Sequence, residues 1–471
     1  MELRRKKALV VFSWDRIPEK GLPLKQIEER LSKLIESNRY QIPTNRPCAR
    51  PVTRVHPVAS YTQQRVDSTI NANLVSPYMY DTVWDAVEET ESMLLHLLGH
   101  LETERGGSVV LKSATQAITQ ALQLYLVKYY ETHGYNVRER GLLGVLYSDI
   151  PAPIILAPIS MNQALEKSVE VLGIGRQSIE YYDLGTDYET DYNSVQEVVR
   201  RIHSNNKRIV GNVAVVGDTE RGKIQNVTEL DTLVSELCED YDYKPPVIVD
   251  AAAQWLNAAM TQNTRNWDLS NPNIKVVVID PQKIELPYDL SVLLLQNYSD
   301  LISLAPEMKD IQILSKEDKR KLEAQANMLT SRGGSQILAM YAYLLHEGIS
   351  SLRESRERII GLANRLADYI RESGYYKLVS EPESSVVAWT SVSNDSQANW
   401  RIAEEINNGD EDLFIAYSPI MRVRTVQDKQ EYSRNKTLKY DGLHAHIMEH
   451  NTGEGIELLC RRLDEIGRKL R

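Results

Sequence analysis

Four apolar runs, set apart by helical patterns, dominate the middle of this chain. PIILAP at 153–158, RIVGNVAVV at 208–216, and the runs at 246–250 and 275–280 read as strands. Amphipathic patterns at about 162–172, 192–204 and 227–239 separate them. Strands joined by crossover helices pair in parallel, and uninterrupted apolar runs need cover on both faces. The expected fold is therefore α/β, a mostly parallel central sheet with helices on both sides. The Pro-, Asn- and Tyr-rich stretch at about 41–81 has little periodicity and reads as irregular, and a helical pattern at 81–101 follows with Asp81 as its N-cap. A helix at about 114–131 precedes the alternation, and two long helical patterns begin near 335. The tail to 471 reads as a small α+β region containing the strand SSVVAW at 384–389.

Two of these strands end in reactive residues. VVVIDPQK at 276–283 runs from apolar strand through an Asp-Pro turn to Lys283, and PPVIVDAAA places Asp250 at the end of another strand, thirty-three residues upstream. A lysine and an aspartate so placed, one βαβ step apart, meet the needs of a pyridoxal phosphate enzyme. The amine holds the aldehyde as a Schiff base, and the carboxylate pairs with the pyridine nitrogen so that the ring stays protonated and accepts electrons. Either residue alone also suits a structural strand end.

Two further segments extend the pattern. In GGSVVLKSATQA at 106–117, Ser113, Ala114 and Thr115 directly precede a long helix. Free N–H groups and the positive dipole end make such a place a phosphate cradle, although it also suits an ordinary cap. In VAVVGDTERGKIQN at 213–226 a strand enters a Gly-Asp-Thr turn. Thr219 there can offer its hydroxyl to the cofactor ring oxygen or to a substrate carboxylate, or serve a simple turn.

Taken in order, these segments resemble the group II pyridoxal-phosphate-dependent amino acid decarboxylases, the glutamate, aromatic amino acid and tyrosine decarboxylases of the aspartate aminotransferase fold. The resemblance covers roughly residues 50–460. Ser113-Ala114-Thr115-Gln116-Ala117 is similar to the family's phosphate turn, NQALEKSVEVLG at 162–173 to its helix-opening motif, and Gly217-Asp218-Thr219 to its glycine-threonine turn. Val249-Asp250-Ala251-Ala252 matches V-D-A-A, and Asp280-Pro281-Gln282-Lys283 stands for D-P-H-K. TSRGGSQILAMY at 330–341 resembles the segment that reaches the partner subunit's cofactor phosphate, with Ser331 in the contacting place. His56-Pro57 and the stretch Asn71 to Ser76, including Asn73, are similar to a substrate-lining N-terminal arm, and HIMEHNTGEGIELLCRRL to the end of the C-terminal domain.

The resemblance thus implies pyridoxal 5'-phosphate held by Ser113, Ala114, Thr115, Asn162, Asp250, Ala252, Asp280, Gln282, Lys283 and Ser331. Lys283, Asp250 and Thr219 carry the chemistry, and Asn73, Ser76, His56 and His444 face an amino acid substrate. It also implies a homodimer with composite active sites. The expected organisation is an N-terminal helix and arm over 1–80, a large cofactor domain over 81–345 and a small domain over 346–471.

Several family residues are replaced. The ring-stacking histidine falls on Asn162, whose amide can lie on a pyridine but cannot titrate near neutrality. The histidine before the lysine is Gln282, which can still donate to a phosphate. The loop tyrosine that protonates the product carbon has no counterpart, since 299–330 contains neither tyrosine nor histidine. The place of a C-terminal arginine falls on His444. Decarboxylation is the first reading. Related chemistry on the same cofactor (decarboxylative oxidation, Cα–Cβ cleavage or a tailoring step) is the second, and a catalytically quiet homologue the third. Intact Lys283 and Asp250 argue against the last.

Charge and composition narrow the partners. A net charge of −10 with no basic stripe argues against nucleic acid. The N-terminal apolar run is too short for a signal peptide or membrane span. Three scattered cysteines, Cys48, Cys238 and Cys460, suit a reducing cytoplasm.

Overall fold

The computed structural model describes residues 22–37, 54–241, 243–261, 267–308, 315–393, 395, 397–409, 413–436 and 438–470. The chain divides into two compact units, residues 1–44 and 45–471. In the first unit the described part is the helix Leu24–Ser37. Cys48 lies outside the described residues.

The second unit is built on a seven-stranded sheet. Its strands are β1 (Gly107–Leu111), β2 (Ala152–Pro158), β3 (Ile179–Tyr182), β4 (Lys207–Val215), β5 (Val247–Asp250), β6 (Ile274–Ile279) and β7 (Ser291–Leu295), in the order β1-β7-β6-β5-β4-β2-β3. The five strands β2 to β6 pair in parallel, and β7 runs antiparallel to both β6 and β1. β1 consequently points the same way as β6, and six strands deliver their carboxyl ends to one edge of the sheet. Pleating explains the apolar runs: Val277 and Ile279 enter one core, Val276 and Val278 the other. Each such buried valine or isoleucine contributes ~1.5–3 kcal/mol.

A second sheet of four antiparallel strands, β8 (Tyr376–Leu378), β9 (Val386–Ser391), β10 (Ala416–Ser418) and β11 (Gly442–His446), has the order β10-β11-β9-β8. Its own core joins Val387, Trp389, Leu443, Ala445 and Ile447 to the C-terminal helix Gly453–Leu470.

Four local expectations are revised. The stretch 41–81 reads as irregular, yet Pro57–Thr69 is a helix, started by proline and by the His56 ring accepting from Val58 N. Its apolar period is faint because only Ala59 and Val66 are buried. Asp81 is the first residue of its helix rather than the cap, a place taken by Tyr80. The two long helical patterns are two helices within Ser335–Glu372, as expected, but they meet at Gly348, where φ is 63° and ψ 170°, earlier than the patterns suggest. Strand β9 begins two residues later than SSVVAW suggests.

Candidate active site

The carboxyl edge of the sheet gathers most of the residues singled out from the sequence. A cavity of about 160 Å³ is lined by Ser113, Ala114, Thr115, Ser160, Asn162, Ala164, Val215, Gly217, Asp218, Thr219, Asp250, Ala252, Ala253, Asp280 and Lys283. Clefts at the carboxyl ends of parallel strands are where open α/β sheets bind ligands, because each strand there releases its chain into a loop.

Each wall follows from local sequence. β1 ends at Leu111, and Ser113 caps the helix Ala114–Thr132 by accepting from Gln116 N at 3.4 Å. Ser113, Ala114 and Thr115 at this helix start line the cavity, and the unpaired N–H groups of a helix's first turn suit an anion. Asn162, just before the helix Ala164–Val171, uses its Oδ1 to accept from Ala164 N at 3.1 Å. The turn after β4 is held by Asp218, which accepts from the N–H groups of Glu220 (3.1 Å) and Arg221 (2.8 Å) and pairs with the Arg221 side chain at 3.2 Å. Gly217 has φ of +83°, and a Cβ there would stand 2.2 Å from Gln254 Cβ, so the turn requires glycine.

Asp250 ends β5 between Val215 and Val278 and accepts from Ala252 N at 3.1 Å. Burial pushes its carboxyl above the usual carboxylate range; Lys283 and the Ala252 N–H oppose the shift, and Asp280 adds to it. Lys283 follows β6 on a single 3-10 turn and lies 3.5 Å from Asp280 Oδ2. Asp280 is buried, and its Oδ1 has no hydrogen-bond partner.

Five of the remaining candidates lie elsewhere in this chain, and a sixth beside the cavity. Gln282 is not part of the lining: its Oε1 accepts from Asp289 N (2.9 Å) and Leu290 N (3.3 Å), and its Nε2 donates to Asp280 Oδ2 at 3.3 Å. Asn73 Oδ1 accepts from Arg332 N and Val75 N, both at 3.2 Å, stitching the arm to the segment that holds exposed Ser331. Ser76 N donates to Asn73 O. His56 stands 3.2 Å from Glu347 and edge-on to Tyr343. With His346 these groups place three donor atoms within 4.8 Å of one another. However, Val58 N–H donates to His56 Nδ1 at 3.3 Å, leaving the ring proton on Nε2 toward Glu347, so this nitrogen acts as a hydrogen-bond donor rather than a metal ligand. His444 is buried on β11 beside Arg221. His446, two residues on, is fully buried on the same face of the strand, its ring 5.3 Å from that of His444. Sequence reading passed over His446, although period-two alternation from His444 puts both rings on one face.

A larger cavity of about 320 Å³ lies near Trp84, Glu91 and Lys319. Its Lys316 and Arg320 are paired to Asp85 and Glu88, and Ser108 donates to Glu91 at 2.7 Å. It lacks the strand-end lysine and aspartate.

Comparison with known proteins agrees with this geometry. The model of the pyridoxal-dependent decarboxylase conserved domain matches residues 93–392, and the chain belongs to this family. A probable L-tyrosine/L-aspartate decarboxylase of Methanothermobacter thermautotrophicus is 25% identical over 327 residues, 68% of this chain and 77% of that protein. The L-aspartate decarboxylase of Thermococcus kodakarensis is 24% identical over 384 residues, 79% of this chain and 86% of that one. Among solved structures, Catharanthus roseus tryptophan decarboxylase shares the fold at a TM-score of 0.79 and 13% identity, over 97% of this chain and 91% of the other. Rhodiola rosea 4-hydroxyphenylacetaldehyde synthase does so at 0.75 and 14%, over 97% and 90%. The protein is a pyridoxal-phosphate-dependent amino acid decarboxylase, a carboxy-lyase. The cavity fits that cofactor, with a helix N-terminus for a phosphate, a buried carboxylate short of a cationic partner and an amine at the strand end. No helix among the described residues is long and apolar enough to cross a membrane.

Proposed function

We propose that Lys283 is the cofactor lysine, that Asp250 pairs with the pyridine nitrogen, and that the helix start at Ser113, Ala114 and Thr115 takes the phosphate. The observation that supports this reading is the meeting of all three in one cavity with Thr219. Pyridoxal phosphate, when bound, supplies an electron sink for the pair left on Cα as carbon dioxide departs. Asp250, desolvated, would keep a proton on the ring nitrogen by charge, and Ala252 lines the same cavity as a small buried neighbour. Thr219 offers a hydroxyl on a turn locked by the buried Asp218–Arg221 pair. Asn162, its carbonyl tied to Ala164 N, keeps its NH₂ for the cavity. Asp280 holds Lys283, and Gln282 holds Asp280.

The functional unit is a homodimer in the cytoplasm. Ser331 lies on an exposed turn, and Tyr78, Met79 and Met328 nearby in sequence to the arm and that turn expose large apolar surface, as a subunit interface requires. Asn73, Ser76 and His56 then belong to the composite site through the arm. Free Cys238 and Cys460 suit a reducing compartment.

The substrate is an L-amino acid, and the names of the relatives make L-aspartate and L-tyrosine the first two to assay. Asn162 also favours a second outcome, decarboxylation with oxidation by dissolved dioxygen, because neither Asn162 nor 299–330 offers an imidazole or phenol to protonate the product carbon. In that reaction dioxygen takes up the two electrons to leave as hydrogen peroxide, and water releases the aldehyde and ammonia. Purified enzyme given each amino acid, with carbon dioxide, amine and hydrogen peroxide measured together, separates the two. Amine equal to carbon dioxide supports simple decarboxylation, and peroxide equal to carbon dioxide replaces it with the oxidative reaction. Release of neither product from any common amino acid would refute both.

A further inference from the structure

Thr219 reaches the cavity on a short turn, Gly217 to Lys223, that follows β4. Gly217 N and Asp218 N both donate to Lys223 O, at 2.8 and 3.2 Å, and Gly222 N donates to Asp218 O at 2.8 Å. No side chain among the described residues holds the Thr219 hydroxyl, so its place follows from where the turn stands. The small sheet grips that turn from two sides. On the first, Lys223 pairs with Glu383, just ahead of β9, and Ile224 N donates to Glu383 Oε2 at 2.9 Å. Gly222 presses so close to β9 that a Cβ there would stand 2.8 Å from Val386 Cβ.

On the second side the contact is made by Arg221. Its Nη1 donates to Met421 O at 2.8 Å and to Val423 O at 3.5 Å, main-chain groups of the segment that joins β10 to β11. Its Nε donates to Asp218 Oδ2 at 3.2 Å, and the guanidinium stands 4.8 Å from the ring centre of Tyr188. Arg221 is only 3% exposed and Asp218 4%. Taking a guanidinium out of water is costly, and an apolar side chain could fill such a place with less loss. What the guanidinium adds is direction. One nitrogen holds the carboxylate next to Thr219, while another holds a carbonyl 200 residues away. The far segment is in turn fixed to the large sheet and its helices. Leu184 N donates to Arg424 O at 2.8 Å, Val426 N to Asp183 Oδ1 at 2.8 Å, and Lys429 pairs at 3.2 Å with Glu166 on the helix that Asn162 opens.

We propose that Arg221 is a positioning residue for Thr219: by docking the turn onto the carbonyls of Met421 and Val423, it lets the segment between β10 and β11 set where the Thr219 hydroxyl stands in the cavity. Asp218 is the link. It accepts from the N–H groups of Glu220 and Arg221 with Oδ1 and from the guanidinium with Oδ2, so a displaced guanidinium displaces the residues on either side of Thr219. A hydroxyl moved by a fraction of a hydrogen-bond length loses much of its contribution to a reaction that depends on orientation.

The test is a double-mutant cycle on the full-length, cofactor-loaded enzyme, with Arg221→Lys, Thr219→Ala and the two combined. Lysine keeps a charge for Asp218, but its single ammonium cannot span the carboxylate and both carbonyls. Carbon dioxide release from L-aspartate and L-tyrosine is measured at saturating substrate, and cofactor occupancy is read from the visible band. Arg221→Lys should lower kcat about tenfold at full occupancy, and the same change made in Thr219→Ala should cost less than about twofold, because the group it positions is already gone. A kcat for Arg221→Lys equal to the wild type overturns the proposal, and so does the same fold-loss in both backgrounds, which is the mark of a merely structural arginine. Should Arg221→Lys not fold, Asp218→Asn takes its place in the cycle under the same criterion, since its amide oxygen still accepts the two turn N–H groups while the ion pair is lost. The inference rests on Thr219 acting in the cavity. If that reading fails, Thr219→Ala keeps wild-type turnover; if only the present one fails, Thr219→Ala is impaired and the loss from Arg221→Lys multiplies with it.

Discussion

Replacing Asp250 by asparagine should separate function from stability. In the cofactor-free protein the carboxyl is desolvated, and its ionised form is disfavoured by burial, relieved in part by Lys283 and one backbone N–H. A group whose folded-state pKa is raised makes the protein more stable below the unfolded pKa and less so as pH rises through the folded one. Asparagine has the same shape and no charge, so cofactor-free Asp250→Asn should melt higher than the wild type at pH 8, with the difference shrinking toward pH 4. Turnover should move the opposite way. The variant loses the only strand-end carboxylate proposed to hold a proton on the pyridine nitrogen. Removing such a preorganised electrostatic partner costs about 10²–10³-fold, or about 2.7–4 kcal/mol of transition-state stabilisation. Differential scanning fluorimetry of the apoprotein and carbon dioxide release by the loaded enzyme provide the two readings. A variant that keeps turnover within about tenfold, or that melts lower when cofactor-free, would show that Asp250 merely ends a strand.

Three other outcomes follow from the same geometry. Gly217→Ala must relieve both a φ of +83° and a Cβ contact of 2.2 Å with Gln254, so the Thr219 turn should shift and cofactor affinity fall at least about tenfold, measured by equilibrium dialysis. Burial pushes the Glu285 carboxyl up to about 7 from 4.5, with Glu449 adding to the shift and Arg356 opposing it. Its neutral form therefore favours the fold at low pH, and that stability is lost as pH rises from 4.5 through about 7, a gap worth at most about 3 kcal/mol. Glu285→Gln should accordingly raise the thermal midpoint at pH 8 and leave it unchanged at pH 4. Asn162→His should increase amine formation or leave it unchanged if the native enzyme only decarboxylates; a shift from peroxide to amine would identify oxidation as the native reaction.

The sheet and the floor of the site were legible because buried parallel strands need continuous apolar runs and reactive residues gather where those runs stop. VVVIDPQK and VIVDAAA contain both signals within a few residues. Strands β1 and β7 were less visible, being five residues each and flanked by no crossover helix of their own between β6 and β7. The helix Pro57–Thr69 was hidden by a weak apolar period, since it buries only two side chains. His446 escaped for another reason. Its place is set by a strand of the small sheet, where it is buried beside His444, and no local pattern marks it as more than a strand residue. The resemblance drew attention to His444, and only the strand's pleat transfers it to its neighbour.

The central claim is that Lys283 bonds the cofactor at the strand end. Borohydride reduction of the loaded protein followed by peptide mapping tests it directly. The account predicts a pyridoxyl adduct on Lys283, with loss of the visible band in Lys283→Ala. An adduct on Lys112 or Lys167, the lysines flanking the proposed cofactor segments, would contradict it.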